Sequence, residues 1–273
     1  MIRTLTVPPS DVPATRKRPQ RNGLILWAGP SALDGAPIVV IATGIRGASA
    51  NSKTGAMVQT WIIRRDMHPS EAIKTGDDAS ICGDCIHRRR MMTEEEQEEH
   101  GRQFDRSCYV RMDPVASVWR CYLDGGYAWA SAADWERLST LSVRAGSYGD
   151  PAAVPLWVWA QLQPKTGYTH QWRRPEFADL RRHVMASCDW PADRSDAAAA
   201  GWRTFRVREE HEPLMPGEFL CPASEEGGVR MDCNRCGACN GNPNDRPRAA
   251  SPVIITHGPN ARAFGRARLA VLA

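Results

Sequence analysis

The chain has 273 residues, with 35 Lys and Arg against 31 Asp and Glu, nine Cys, 20 Pro, 22 Gly and 42% hydrophobic residues. That hydrophobic share supports a core and excludes general disorder and collagen-like structure. No apolar run approaches the roughly 20 residues that span a bilayer, and the length fits one large domain or two small ones.

The charge is uneven. Residues 1–22 hold Arg3, Arg16, Lys17, Arg18 and Arg21 against Asp11 alone, which accounts for the formal net charge of +4. The body is therefore neutral, which argues against strong phosphate binding by its whole surface. Residues 1–22 carry Pro8, Pro9, Pro13 and Pro19 without apolar periodicity, which predicts a disordered basic leader. Such a leader either touches nucleic acid or is merely solvated. No apolar signal segment follows Met1, so a cytoplasmic protein with no membrane partner is expected.

Residues 23–273 are expected to form a single α/β domain. Ile38–Thr43 reads IVVIAT, β-branched and bounded by Pro37 and Gly44, the pattern of a buried strand. Residues 57–63 suggest a second extended or helical segment. The stretch from Gly47 to Lys53-Thr54 resembles a phosphate-binding loop in which Ser52 replaces the second glycine. Lys53 and Thr54 would be its phosphate ligands, in a degenerate nucleotide binder. Residues 86–107 read as an insertion, with three arginines from Arg88 followed by glutamates from Glu94, the mark of an exposed helix.

Beyond Asp134 the segments alternate. Strands are predicted at 138–146, 167–172, 184–190, 203–208 and 253–258, with helices at 152–162, 177–183, 193–202 and beyond Ala261. Strand and helix in alternation mean βα units and a parallel sheet, here a parallel (β/α) barrel or partial barrel with Cys-rich metal-binding loops. Polar residues at the strand ends then share one face. Arg144, Tyr148 and Asp150 follow one strand, Thr169, His170 and Gln171 the next, Ser187 and Asp189 another, and His257 the last. Tyr148, Asp150, His170 and Asp189 are the catalytic candidates, facing one cavity.

Cysteine clustering in a cytoplasmic protein points to metal or redox chemistry. Cys233, Cys236 and Cys239 form a tight CxxCxxC run, and Cys221, followed by Pro222, supplies a remote fourth thiolate. Spacing of this kind suits an iron–sulfur cluster, with zinc as the alternative. Cys82 and Cys85 form a CxxC pair with Cys108 beyond the charged insertion. Three thiolates either hold a cluster with one open iron or a zinc ion completed by His87 or His100. Cys121 and Cys188 read as buried small apolar residues.

Taken together, Cys82, Cys85, Cys108-Tyr109, the run SVRAGSYGDPAAVP, GYTHQW, VMASCDW and the CPAS…CNRCGAC segment resemble an uncharacterised family of Cys-rich bacteriophage and prophage proteins. That likeness implies expression inside a bacterial host cell. The layout is also similar to radical S-adenosylmethionine enzymes, which place a three-cysteine [4Fe–4S] cluster on a full or partial (β/α) barrel. Those enzymes usually carry the three cysteines in one tight loop. Wide spacing like that of Cys108 here occurs in the carbon–phosphorus lyase subunit of the superfamily. The resemblance implies that Cys82, Cys85 and Cys108 hold the cluster that binds S-adenosylmethionine. It also implies that Gly149 and Asp150, in Gly149-Asp150-Pro151, stand where the methionine end of the cofactor is contacted. Cys221, Cys233, Cys236 and Cys239 would hold an auxiliary centre, and a nucleotide or nucleic-acid base would be the substrate. The competing expectation is a non-catalytic zinc-stapled module that binds nucleic acid or a host protein.

Overall fold

The structure is a computed structural model that describes residues 9–47, 52–101, 103–242, 250–256 and 259–272. Twelve strands, nine α-helices and three 3-10 helices are found among the described residues. The strands are β1 (Gly23–Pro30), β2 (Pro37–Thr43), β3 (Val58–Arg64), β4 (Arg90–Met91), β5 (Phe104–Asp105), β6 (Ala128–Trp129), β7 (Val143–Tyr148), β8 (Thr166–Thr169), β9 (Met185–Cys188), β10 (Thr204–Arg208), β11 (Glu218–Leu220) and β12 (Ser251–Ile255). The α-helices are α1 (Pro69–Thr75), α2 (Ala79–Cys82), α3 (Glu94–His100), α4 (Met112–Leu123), α5 (Ala132–Ser139), α6 (Leu156–Leu162), α7 (Pro191–Ala199), α8 (Cys233–Cys236) and α9 (Pro259–Leu272).

Ten strands form one sheet in the order β11-β12-β10-β9-β8-β7-β3-β2-β1-β6. From β3 to β11 every neighbouring pair is parallel. The segments after Asp134 thus pair as their alternation with helices predicts, because a parallel return needs a crossover connection. The fully parallel expectation fails at one place. β2 is antiparallel to both β1 and β3. The β1–β2 connection is a tight turn, closed by Ser31 donating its N–H to Ala36 O at 2.7 Å, and so short a link can only reverse the chain.

Apolar strands explain the centre of the core. Ile38, Val39, Val40 and Ile41 of β2 are wholly buried, as are Ile62 and Ile63 of β3. Helices α4 to α6 add Val115, Leu138, Val158 and Trp159 to the same cluster. The charged insertion is the exposed helix expected of it. Thr93 and Glu96 form a reciprocal cap around the N-terminus of α3, which buries none of its residues. The β4–β5 ribbon is tied to α9 by Arg266, whose Nε donates to Asp105 Oδ2 at 2.7 Å.

Residues 9–22 of the basic leader lie along the body. Arg16 and Gln20 donate their N–H groups to Gly125 O and Gly126 O at 2.9 and 2.6 Å. Val12 packs against the main core. No helix among the described residues is long and apolar enough to cross a membrane.

Candidate metal and substrate site

The parallel strands set the site. One cavity of about 380 Å³ is lined along the sheet by Arg144, Gly146, Ser147 and Tyr148 of β7, Tyr168 of β8, Ser187 of β9, Phe205 and Val207 of β10 and Ile254 of β12. Phe205 and Val207 stand two apart, as residues on one face of a strand do. Cys82, Cys85 and Cys108 line the same cavity, and so do Cys221 and Cys233. The two cysteine sets, far apart in sequence, therefore share one chamber.

The first set sits where strands β7, β8 and β9 end. Its CxxC loop leaves α2 through Gly83, whose φ of +55° is one that L side chains rarely adopt. A Cβ at Gly83 would also overlap the side-chain amide of Gln171. Gln171 clamps the loop, with its amide nitrogen 3.0 Å from Asp84 Oδ2 and its oxygen accepting the Asp84 N–H at 2.9 Å. Arg88 anchors the far side of the loop through Asp78 Oδ1 at 2.7 Å and through the carbonyl of Gly83 at 3.1 Å.

Beside Cys85 lies a buried polar group. His170 Nε2 is 3.8 Å from Cys85 Sγ and 3.3 Å from Asp189 Oδ2. His87 Nε2 is 3.0 Å from Asp189 Oδ1, and its Nδ1 is 2.8 Å from Ser107 Oγ. Burial works against the charge on Asp189, but the two imidazoles outweigh it and hold the carboxyl far below its usual range. Burial likewise pushes the Cys85 thiol up, and His170 with His87 more than offsets this, leaving it below its ordinary value. Cys82 is driven the other way, mainly by burial and then by Cys85 and Asp78. Burial also raises Cys108. Cys85 is thus the thiol most ready to become a thiolate.

The strand-end candidates separate into two kinds. Tyr148, Asp150 and His170 line the cavity, and Asp189 stands behind His170. The Tyr148 hydroxyl is buried with no hydrogen-bond partner among the described residues. Asp150 is committed. Its Oδ1 accepts the Ala152 N–H at 2.9 Å and its Oδ2 accepts the His170 N–H at 2.8 Å. That carboxylate ties the turn after β7 to the turn after β8 and fixes the start of His170. Gly149 also lines the cavity, and its backbone lies so close to β3 that a Cβ would be 2.7 Å from Ile62 Cβ. His257 lies outside the described residues. Of the two histidines offered as a fourth ligand, His87 lines the cavity, while His100 ends α3 beside Glu99, 3.9 Å away.

The four cysteines of the second set line one small pocket. Cys233 and Cys236 occupy the one-turn helix α8, capped by Asp232 Oδ1 accepting the Arg235 N–H at 2.8 Å. Cys239 bridges to Thr166 at the start of β8. Cys221 follows β11 and donates its N–H to Val253 O at 2.9 Å. All four thiols bound a void of about 10 Å³, roughly the room of one small guest. Burial lifts the Cys239 thiol to about 12, aided by the other three sulfurs and opposed by Tyr168. Four thiols set against one another in this way invite a cation.

Lys53 and Thr54 do not stand in a phosphate loop. The segment after Thr54 enters strand β3 at Val58 rather than a helix, so the helix N-terminus that would face a phosphate is missing there. Residues 48–51 of the motif lie outside the described residues. Lys53 instead holds the second cysteine set, its carbonyl accepting the Cys233 N–H at 2.8 Å. Thr54 is buried and accepts from Gln59 Nε2 at 3.3 Å.

Sequence reasoning missed the role of His87 as a partner of Asp189, and it missed the apolar wall of Tyr168, Phe205, Val207 and Ile254. The signal was there, since these positions lie on strands already recognised. Comparison with protein-family models, with curated proteins and with solved structures returns no match.

Proposed function

We propose that the chain is a metal-cluster enzyme of the radical S-adenosylmethionine kind, built on a partial (β/α) barrel, with a nucleotide or nucleic-acid base as substrate. One observation carries the reading. Cys82, Cys85 and Cys108 and the turn Tyr148-Gly149-Asp150 meet in one cavity at the ends of parallel strands, where ligands of α/β sheets bind.

Three thiols brought to one cavity wall support a cluster at this first set. Cys82, Cys85 and Cys108 would hold a [4Fe–4S] cluster, which would supply the reducing electron for cleavage of S-adenosylmethionine. The chain's own residues do the rest. Asp150 fixes the backbone at His170, and His170 with Asp189 flanks the Cys85 sulfur. The Tyr148 hydroxyl offers a donor, and the apolar wall from Tyr168 to Ile254 excludes water. Cys221, Cys233, Cys236 and Cys239 hold a second, four-thiolate centre.

The test is anaerobic reconstitution followed by S-adenosylmethionine and dithionite. Formation of 5′-deoxyadenosine, lost in Cys85→Ala, is expected. Zinc in both sites with no such product would leave the zinc-stapled binding module standing. A second reading has its own observation, the close approach of His87, His170 and Asp189, which suits one mononuclear metal ion with two imidazoles and a carboxylate. Acid-labile sulfide separates the two, being stoichiometric with iron for a cluster and absent for a mononuclear ion.

A further inference from the structure

A second cavity, of about 450 Å³, opens at the β1–β6 edge of the sheet, with β2 and β3 between it and the cysteine chamber. Lys17, Arg18, Arg21, Arg46 and Arg137 line it, with Asp134 as the single acid. That acid is already used. Asp134 Oδ2 accepts the Ser131 N–H at 2.9 Å and the Ser131 hydroxyl at 2.6 Å, closing the cap of α5.

Several arginines elsewhere in the chain are paired. Arg64 meets Asp66, Arg88 meets Asp78, Arg206 meets Glu218 and Arg266 meets Asp105. Among the described residues none of the five cations of this cleft makes an ion pair. Five unpaired positive charges around one concavity repel one another, and an anionic ligand relieves that repulsion. The cleft is also held in place. The Arg16–Gly125 and Gln20–Gly126 backbone bonds bracket Lys17 and Arg18. The Arg46 N–H donates to Asn22 Oδ1 at 2.7 Å, and Arg137 Nη2 donates to Ile45 O at 3.1 Å. The basic leader and the neutral body thus build the cleft together.

We propose that this cleft binds the phosphate backbone of a nucleic acid without reading its sequence. The apolar part of its lining is Pro19, Leu24, Ile45 and Ala128, which offers no aromatic face on which a base could stack. Contacts of cations to phosphates fix position and carry no sequence information. A free nucleotide presents the same phosphate chemistry, but only a strand supplies a run of charges long enough to engage five cations. The inference is independent of what the cysteines hold.

The experiment measures binding of fluorescent 20-nucleotide single-stranded and duplex DNA to the full chain by anisotropy across a salt series. Binding is expected at low salt, with log affinity falling against log salt at a slope approaching about −4.5 for the duplex and about −3.5 for the single strand if all five cations meet phosphates. A Lys17→Glu, Arg18→Glu, Arg21→Glu variant should bind at least tenfold more weakly with a flatter slope, and Arg46→Glu, on the body, should weaken binding in the same direction. Unchanged melting temperatures of the variants exclude unfolding as the cause. Cys85→Ala should bind like the parent, which separates this inference from the cysteine reading. No binding at low salt, or variants that bind like the parent, would overturn it. So would displacement of the DNA by ATP at equal phosphate concentration, which would assign the cleft to nucleotides.

Discussion

Cys85 is made distinct from its neighbours by residues and not by the strand it follows. The CxxC loop holds its shape because Gly83 takes a φ that side chains resist and leaves room for Gln171. Gly83→Ala should therefore displace the loop and its two sulfurs. The expected outcome is an iron content at the first site reduced severalfold, with the cysteines of the second site still protected from alkylation in the loaded protein. Iron analysis with mass spectrometry of alkylated peptides checks this, and unchanged iron would show that the clamp does not set the loop. The same scale shows what the sequence could and could not say. Tyr148, Asp150 and His170 were legible because each follows a strand, and strand ends in a parallel sheet share a face. That the carboxylate of Asp150 is spent on two backbone N–H groups was not legible, since a carboxylate's partners depend on how two turns meet.

At the scale of elements, β10 and β11 are held together across β12 by a buried ion pair. Arg206 Nε and Nη2 each donate to Glu218 at 2.8 Å, and the two side chains are 0% and 1% exposed. Removing the carboxylate leaves a buried guanidinium with Glu212 still 3.5 Å from Nη1, so Glu218→Gln should cost about 3 kcal/mol, the low end for a broken buried pair. Burial pushes the Glu218 carboxyl up, but Arg206 and the Met215 N–H outweigh it and hold the carboxyl below its ordinary 4.5. A depressed carboxyl gives its stability in full above 4.5 and loses it as pH falls through the folded value. The melting-temperature gap between parent and variant should thus narrow below pH 4.5, and a gap that widens in acid would contradict the pairing. The elements themselves were unevenly legible. Strands β8 to β10 and β12 stood out because Gly and charged residues bound them. β1 was missed although GLILWAGP is buried along most of its length, because it emerges directly from a Pro-rich leader. α4 was missed because Pro114 near its start masks the apolar spacing of Val115, Val118 and Tyr122.

The two cysteine sets differ in how much the rest of the molecule already does for them. Around the first set Ile81 and Met92 are almost wholly buried, and Arg88, Asp78 and Gln171 brace the loop. Around the second set α8 buries none of its residues, and Val229 and Met231 are exposed. Ordering a residue costs about 1–2 kcal/mol in backbone entropy, and the buried apolar residues of 221–242 are Ala223 and Cys239. A bound metal would supply the difference, since four thiolates on a structural zinc contribute on the order of 10 kcal/mol. Cys236→Ser should therefore release its metal and open residues 221–242 to protease, while the strands from β1 to β10 stay folded. Cys85→Ala should lose iron from the first site and remain as resistant to protease as the parent. Limited proteolysis followed by mass spectrometry reads both variants in one experiment. Equal cleavage in the two would mean that the second set is not a staple, and cleavage within β1 to β10 in Cys236→Ser would mean that the whole sheet depends on it.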